Sequence, residues 1–293
     1  MIDWLHLIDR HRIDAHARTL DSVSSQTGED AGSTEMTFDR YIGIDYSGAQ
    51  TPTQSLKGLR VFAATHDSLP VEVAPPPSPR KYGTRRGLAE WLAATLSDNA
   101  RALVGIDHAF SFPLRYFEVH HLLPDWTVFL EDFQRHWPTD GEHTYVDFVR
   151  NGSRGSGAAR SGNSRWRRLT EERAGAKSVF HFDAPGSVAK ATHAGLPWLR
   201  YLRQRLRDRV WCWPFDGWKV PHERSCLVEV YPSLWSRGFP REERSADQHD
   251  AWSVAEWMRG ADRAGSLTRY FDPSLSPAEK TLAKVEGWIL GVM

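Results

Sequence analysis

The stretch "ALVGID" at residues 102–107 runs without a polar side chain until it reaches Asp107. A strand with one wet face alternates apolar and polar residues, so an unbroken apolar run asks for cover on both faces. Such a strand lies near the middle of a sheet flanked by helices on either side, which points the chain to the α/β class. What precedes it agrees. The spacing predicts strands over 41–46, 59–65 and 69–76, each bounded by Gly, Asp, Ser or Pro. Leu88, Trp91, Leu92 and Leu96 then recur at helical spacing over 84–100. The order is βββαβ, with an acid closing the first strand ("YIGIDYSGAQ", Asp45) and another closing the fourth (Asp107).

Residues 114–200 read as a helical and loop insertion. "TVFLEDFQRHW" and "TYVDFVR" are short amphipathic helices, and residues 151–177 read as a mobile Gly-, Ser- and Arg-rich loop. Six arginines between Arg154 and Arg173 make that loop either a phosphate-contacting surface for nucleic acid or a merely solvated one. Trp166, between Arg165 and Arg167, is the one tryptophan placed to stack on a base. "GSVAKATHAGLPWLRYLRQRL" is a helix entered through Gly-Ser. "RVWCWPF" and "SCLVEVYPSLW" are strands, and "DQHDAWSVAEWMRGADRAG" is a late helix with Asp247 in the cap position.

At 293 residues and 40% hydrophobic content the chain can bury a full core without disulfides or metals. Residues 1–38 read as a leader or linker, disordered or preceding a true start at Met36, and residues 39–293 as a single domain. Lys plus Arg equals Asp plus Glu at 37 each, so no overall field announces or excludes nucleic acid. The two cysteines, Cys212 and Cys226, fall in strands and read as buried fillers. No secretory segment or long apolar run is visible, so a soluble cytoplasmic protein with no membrane partner is expected.

Four acids interrupt otherwise apolar elements: Asp45, Asp107, Glu229 in "LVEVYPS", and Asp250 in the late helix. Carboxylates are costly to bury unless paired, protonated or bound to a cation, and hard oxygen donors suit Mg2+ or Mn2+. Strand ends on one side of an open sheet are also where ligands bind. Each acid has a structural reading as well. Asp45 could bond its own turn, Asp107 could cap the following segment, Glu229 could pair with an arginine, and Asp250 could complement a helix dipole. Ser47 follows the first acid, and Lys177, Ser178, Lys190, Thr192 and His193 cluster around the Gly-Ser helix entry, where they could hold a phosphate or order a substrate. His222 reads as a loop residue, and His249 either assists a bound water or sits in a helix's first turn.

"GIDYSGAQ", "VGIDHAFSFP", "KSVFHFDAPGSVAKATHAGLPWL", "WPFDGW", "LVEVYPSLW", "DQHDAWSVAEWM" and "EGWILGV" together resemble the domain-of-unknown-function family 429, predicted nucleases with an RNase H-like fold. The resemblance spans residues 41–292. It implies a mixed five-stranded sheet in a βββαβαβα order with helices on both faces, and a carboxylate metal site at Asp45, Asp107 and Asp250. Glu229 joins that catalytic set on its placement alone, since such a fold does not require an acid in that strand. The implied activity is Mg2+- or Mn2+-dependent hydrolysis of phosphodiester bonds in nucleic acid. Two other classes stay open. One is a nucleotide-binding phosphotransferase or ATPase using "GIDYSGAQ" as a phosphate loop. The other is a non-catalytic module binding nucleic acid through its arginine-rich loop.

Overall fold

The computed structural model describes residues 38–75 and 81–293, so the leader reading lies almost wholly outside the described residues. In chain order the elements are β1 (Arg40–Asp45), β2 (Arg60–Thr65), β3 (Val71–Glu72), α1 (Arg85–Thr95), β4 (Ala102–Asp107), α2 (Leu114–Val119), α3 (Trp126–His136), α4 (Val146–Arg150), α5 (Leu169–Ala174) and α6 (Ala189–Leu206). There follow β5 (Val210–Cys212), β6 (Ser225–Glu229), α7 (Ala246–Arg263), α8 (Leu267–Phe271) and α9 (Pro277–Glu286).

The strands form a mixed six-stranded sheet in the order β3-β2-β1-β4-β6-β5. The β1–β2 and β2–β3 pairs are antiparallel, and β1–β4, β4–β6 and β5–β6 are parallel. The sheet has six strands where the resemblance implies five, because Val210–Cys212 pairs as an edge strand beside β6. β3 is shorter than expected. Pro70 and Pro75 flank it, and proline brings no N–H to a ladder. α1 likewise ends at Thr95, short of the predicted residue 100.

Alternation along the central strands sorts their side chains between two cores. Ile42, Ile44, Val104, Ile106 and Leu227 face a layer containing α1, α3 and α6. Tyr41, Leu103, Cys226 and Val228 face the other side, where Val254 and Met258 of α7 and parts of α8 and α9 cover them. β4 is buried along its whole length except at Asp107, as its apolar run requires. Both cysteines are buried and free.

Glycine decides how closely α7 approaches. A Cβ on Gly43 would fall 2.1 Å from the carbonyl oxygen of Ala251 and 2.7 Å from the amide of Ala255, so the helix backbone rests directly on β1. Gly105 on β4 leaves room for the side chains of Val254 and Val230, which a Cβ there would meet at 2.8 Å. The far end of α7 is anchored where Asp262 accepts hydrogen bonds from the Phe38 amide (2.9 Å) and the Tyr41 hydroxyl (2.6 Å). The helix therefore runs antiparallel to β1 and delivers its first turns to the strand's C-terminal end.

The 151–177 segment is more ordered than a mobile loop. It contains a 3-10 turn at Gly157–Arg160 and the helix α5. Its arginines are largely occupied. Arg160 pairs with Asp132, Arg167 donates to the carbonyls of Glu171 and Ala176, Arg168 is buried among acids, and Arg173 pairs with Glu279. Arginines consumed in this way do not form a free phosphate-contacting face. Trp166 is half-buried and edge-on to Phe180, and its backbone carbonyl accepts from Ser178 Oγ.

Candidate carboxylate site

Asp45 and Asp107 stand abreast, as register partners on adjacent parallel strands. Neighbouring strands lie about 4.8 Å apart, and residues in register point to the same face. Both acids therefore face α7, as Gly43 and Gly105 do two residues earlier. The close seat of α7 on Gly43 brings its first turns over this strand end, with Asp247 and Asp250 three residues apart on one side of the helix.

Charge at this point is poorly compensated. Burial raises the Asp45 pKa well above the usual carboxylate range, and the negative charges of Asp107, Asp247 and Asp250 raise it further. Burial also raises Asp107, reinforced by Asp250 and Glu229. Asp250 is raised by burial, opposed by His249 and by a hydrogen bond from Ser236. The countering cation is Arg60, directly across from Asp45 in the β1–β2 register, but its Nη1 donates to Glu72 at 2.9 Å and its guanidinium covers the Tyr82 ring. Asp107 Oδ1 is sealed from solvent and meets no hydrogen-bond donor among the described residues. A buried acceptor left in that state is costly, and a cation or ligand proton would satisfy it.

The other expected residues divide. Glu229 stands apart from the acid group. It pairs in register with Ile106, so alternation turns it to the opposite face from Asp107. There Arg168 grips it with both terminal nitrogens at 2.7 and 2.6 Å, the Phe110 amide donates to it, and the two side chains are 1% and 4% exposed. The arginine-paired structural reading holds for this residue. Ser47 lies beside the acids: a Cβ on Gly58 would stand 3.7 Å from both Ser47 Oγ and Asp247 Oδ2. The Ser47–Gln50 turn is tied down by Arg85, which donates to the carbonyls of Ser47, Ala49 and Gln50.

Residues of the α6 entry are mostly committed to protein contacts. Lys190 pairs with Asp147 at 2.8 Å, Lys177 donates to the Pro185 carbonyl, and Thr192 Oγ1 accepts from the Ala109 amide. His193 is buried among aromatic rings. Neither lysine is left free as a phosphate ligand. His222 is exposed, as its loop placement suggests, and His249 is buried with Nε2 2.9 Å from the Ser236 carbonyl.

Asp247 is the member that sequence reading assigned to another role. The cap of α7 is Ser245, in a reciprocal capping box with Gln248, which frees Asp247 to face Asp45. The D-x-x-D spacing in a first turn was the signal available for it.

Four carboxylates, only partly offset by Arg60 and His249, and one sealed, unpartnered oxygen are the hard donor chemistry that a divalent cation takes. Among the described residues, no three His, Cys, Asp or Glu side chains stand close enough together to hold a metal ion as they are placed. No helix among those residues is long and apolar enough to cross a membrane. Compared with known proteins, the chain matches no family model, no curated protein and no solved structure.

Proposed function

We propose that the chain is an RNase H-like nuclease that hydrolyses phosphodiester bonds of nucleic acid with the help of Mg2+ or Mn2+. One observation carries the reading: Asp45 and Asp107 lie side by side at the ends of two parallel strands, with Asp247 and Asp250 adding negative charge from α7 and, among the described residues, no ion pair to any of the four. Mixed pairing, helices on both sheet faces and an acid ending the first strand agree with the resemblance drawn from the sequence motifs.

Asp45, Asp107 and Asp250 would hold the cation, with Asp247 adding charge from the helix. A divalent ion there would supply Lewis acidity toward a phosphodiester and would offset charge developing on its oxygens. The chain's own residues position the substrate and handle protons. Burial and neighbouring acids hold Asp45 and Asp107 above the ordinary carboxylate range, so in the metal-free chain they favour the protonated form, and a bound cation would draw them to the charged one. Ser47 faces the same space and can donate a hydrogen bond to a phosphate oxygen.

The test is calorimetric titration of Mn2+ into the wild type and Asp45→Asn, paired with cleavage assays on single-stranded, duplex and hybrid substrates. Saturable binding and cleavage, both lost in Asp45→Asn, are expected. Cleavage that survives the substitution, or binding absent even with nucleic acid present, overturns the proposal. The phosphate-loop alternative has less support, since Gly48 abuts the Lys190 carbonyl and Arg85 holds the turn. A binding module built on the arginine-rich loop meets the difficulty that four of its arginines serve internal contacts.

A further inference from the structure

A polar cavity of about 480 Å³ opens beside α6, within the size range of small-molecule sites. Its walls include Trp137, Phe182 and His193, with Ser161, Asn163 and Ser164 from the preceding loop. His193 is 1% exposed, and its Nδ1 lies 2.8 Å from the Ala189 carbonyl oxygen. A carbonyl can only accept, so the proton is assigned to Nδ1 and Nε2 is left as an unprotonated acceptor. Burial pushes the His193 pKa down to about 3, which keeps the ring neutral. No donor among the described residues reaches Nε2.

These features select a ligand. At His193 a neutral acceptor receives an N–H or O–H rather than an anion, and the one arginine in the wall, Arg150, is already paired with Asp183. Trp137 and Phe182 lie 4.5 and 4.6 Å from the His193 ring, and their own planes are within 9° of parallel. Aromatic walls of this kind favour a flat ring. We propose that this cavity binds a nucleobase, which donates an N–H to His193 Nε2 and packs its ring against Trp137 and Phe182. Arg150 and Asp183 also line the cavity, the Arg150 guanidinium lying over the Phe182 ring and forming an ion pair with the exposed Asp183. An exposed pair of that kind contributes little and yields readily to a ligand.

The cavity is linked to the carboxylate site. Thr192, next to His193, holds the amide of Ala109, two residues beyond Asp107. Base binding nevertheless requires no metal, so it stands or falls separately from the nuclease reading.

The experiment titrates adenosine and N6,N6-dimethyladenosine, whose base has no N–H, into the full chain without divalent metal. Calorimetry gives the affinities, and nitrogen-15 NMR follows His193 Nε2. Adenosine is expected to saturate and shift the Nε2 resonance, with the dimethyl analogue at least about tenfold weaker, a loss on the order of 1.4 kcal/mol for one donor. Ser164→Trp, at an exposed position, fills the cavity and abolishes binding while the fold is retained. Equal affinity for the two nucleosides, an unmoved Nε2 resonance at saturation, undiminished binding by Ser164→Trp, or no saturable binding each overturns the proposal. Adenosine binding by a protein that takes up no Mn2+, even with nucleic acid present, would sink the nuclease reading and leave this one standing.

Discussion

Replacing Asp45 by Asn should make the metal-free protein more stable at neutral pH, the reverse of what most substitutions at a buried position do. Asp45 and Asp107 face the same way on strands about 4.8 Å apart. Two unit charges roughly 5 Å apart, at an effective dielectric of about 20, repel by about 3 kcal/mol. Partial protonation relieves some of this, so Asp45→Asn should gain about 2 kcal/mol. For a domain of this size that corresponds to a rise in Tm of roughly 4–8 °C. The sign follows from linkage. The folded-state pKa lies above the unfolded one, so the stability contributed by this acid is complete below the unfolded value and is lost as pH rises through the folded value. Thermal melts of wild type and variant should therefore coincide near pH 3.5 and separate as the pH approaches neutral. Mn2+ should then stabilise the wild type by RT ln(1 + [L]/Kd), about 2.7 kcal/mol at a hundredfold excess over Kd, raising its Tm, and leave the variant unmoved. A variant less stable than wild type at pH 7.5, or a gap between them that does not depend on pH, would refute the charge-repulsion argument.

Two further substitutions probe how the site is assembled. Gly43→Ala drives a methyl group into the Ala251 carbonyl, so the denaturation midpoint should fall by the equivalent of about 3 kcal/mol and Mn2+ affinity should fall with it; unchanged stability would mean that α7 does not rest on β1 as described. Arg168→Met strands Glu171 and Glu229 as buried acids without their cation and should cost about 3–5 kcal/mol, whereas Glu229→Gln should cost less and leave Mn2+ binding intact; loss of metal binding in Glu229→Gln would return Glu229 to the site.

The sheet's centre was legible because it depends on local pattern. An apolar run at 102–107 and the alternation at 41–46 state which strands are covered, and Gly, Pro and Asp mark where they stop. The arginine-rich segment was misread for the opposite reason. Its composition is that of a solvated loop, but Asp132, Glu229 and Glu279, which engage its arginines, lie at sequence separations from 28 to 106 residues that no local window brings together. The same holds for Lys190, whose partner Asp147 belongs to a different helix.

The difference between Glu229 and the other acids comes down to one step of register. Asp107 pairs in register with Asp45, whereas Glu229 pairs with Ile106, one residue short of Asp107. In a sheet a step of one residue exchanges faces, so three acids that look equivalent as strand endings part into two chemistries. Asp45 and Asp107 meet α7 and more acids, with one sealed oxygen unpartnered; Glu229 meets Arg168 and a backbone amide. Strand-ending acids alone could not reveal that parting, because it depends on how β4 and β6 align, which is decided by packing against elements distant in the chain. What α7 adds is likewise a matter of approach. Only a residue without a Cβ at position 43 lets the helix come near enough for Asp247 and Asp250 to raise the charge at Asp45, so a glycine in mid-strand is as much a part of the candidate site as the acids themselves.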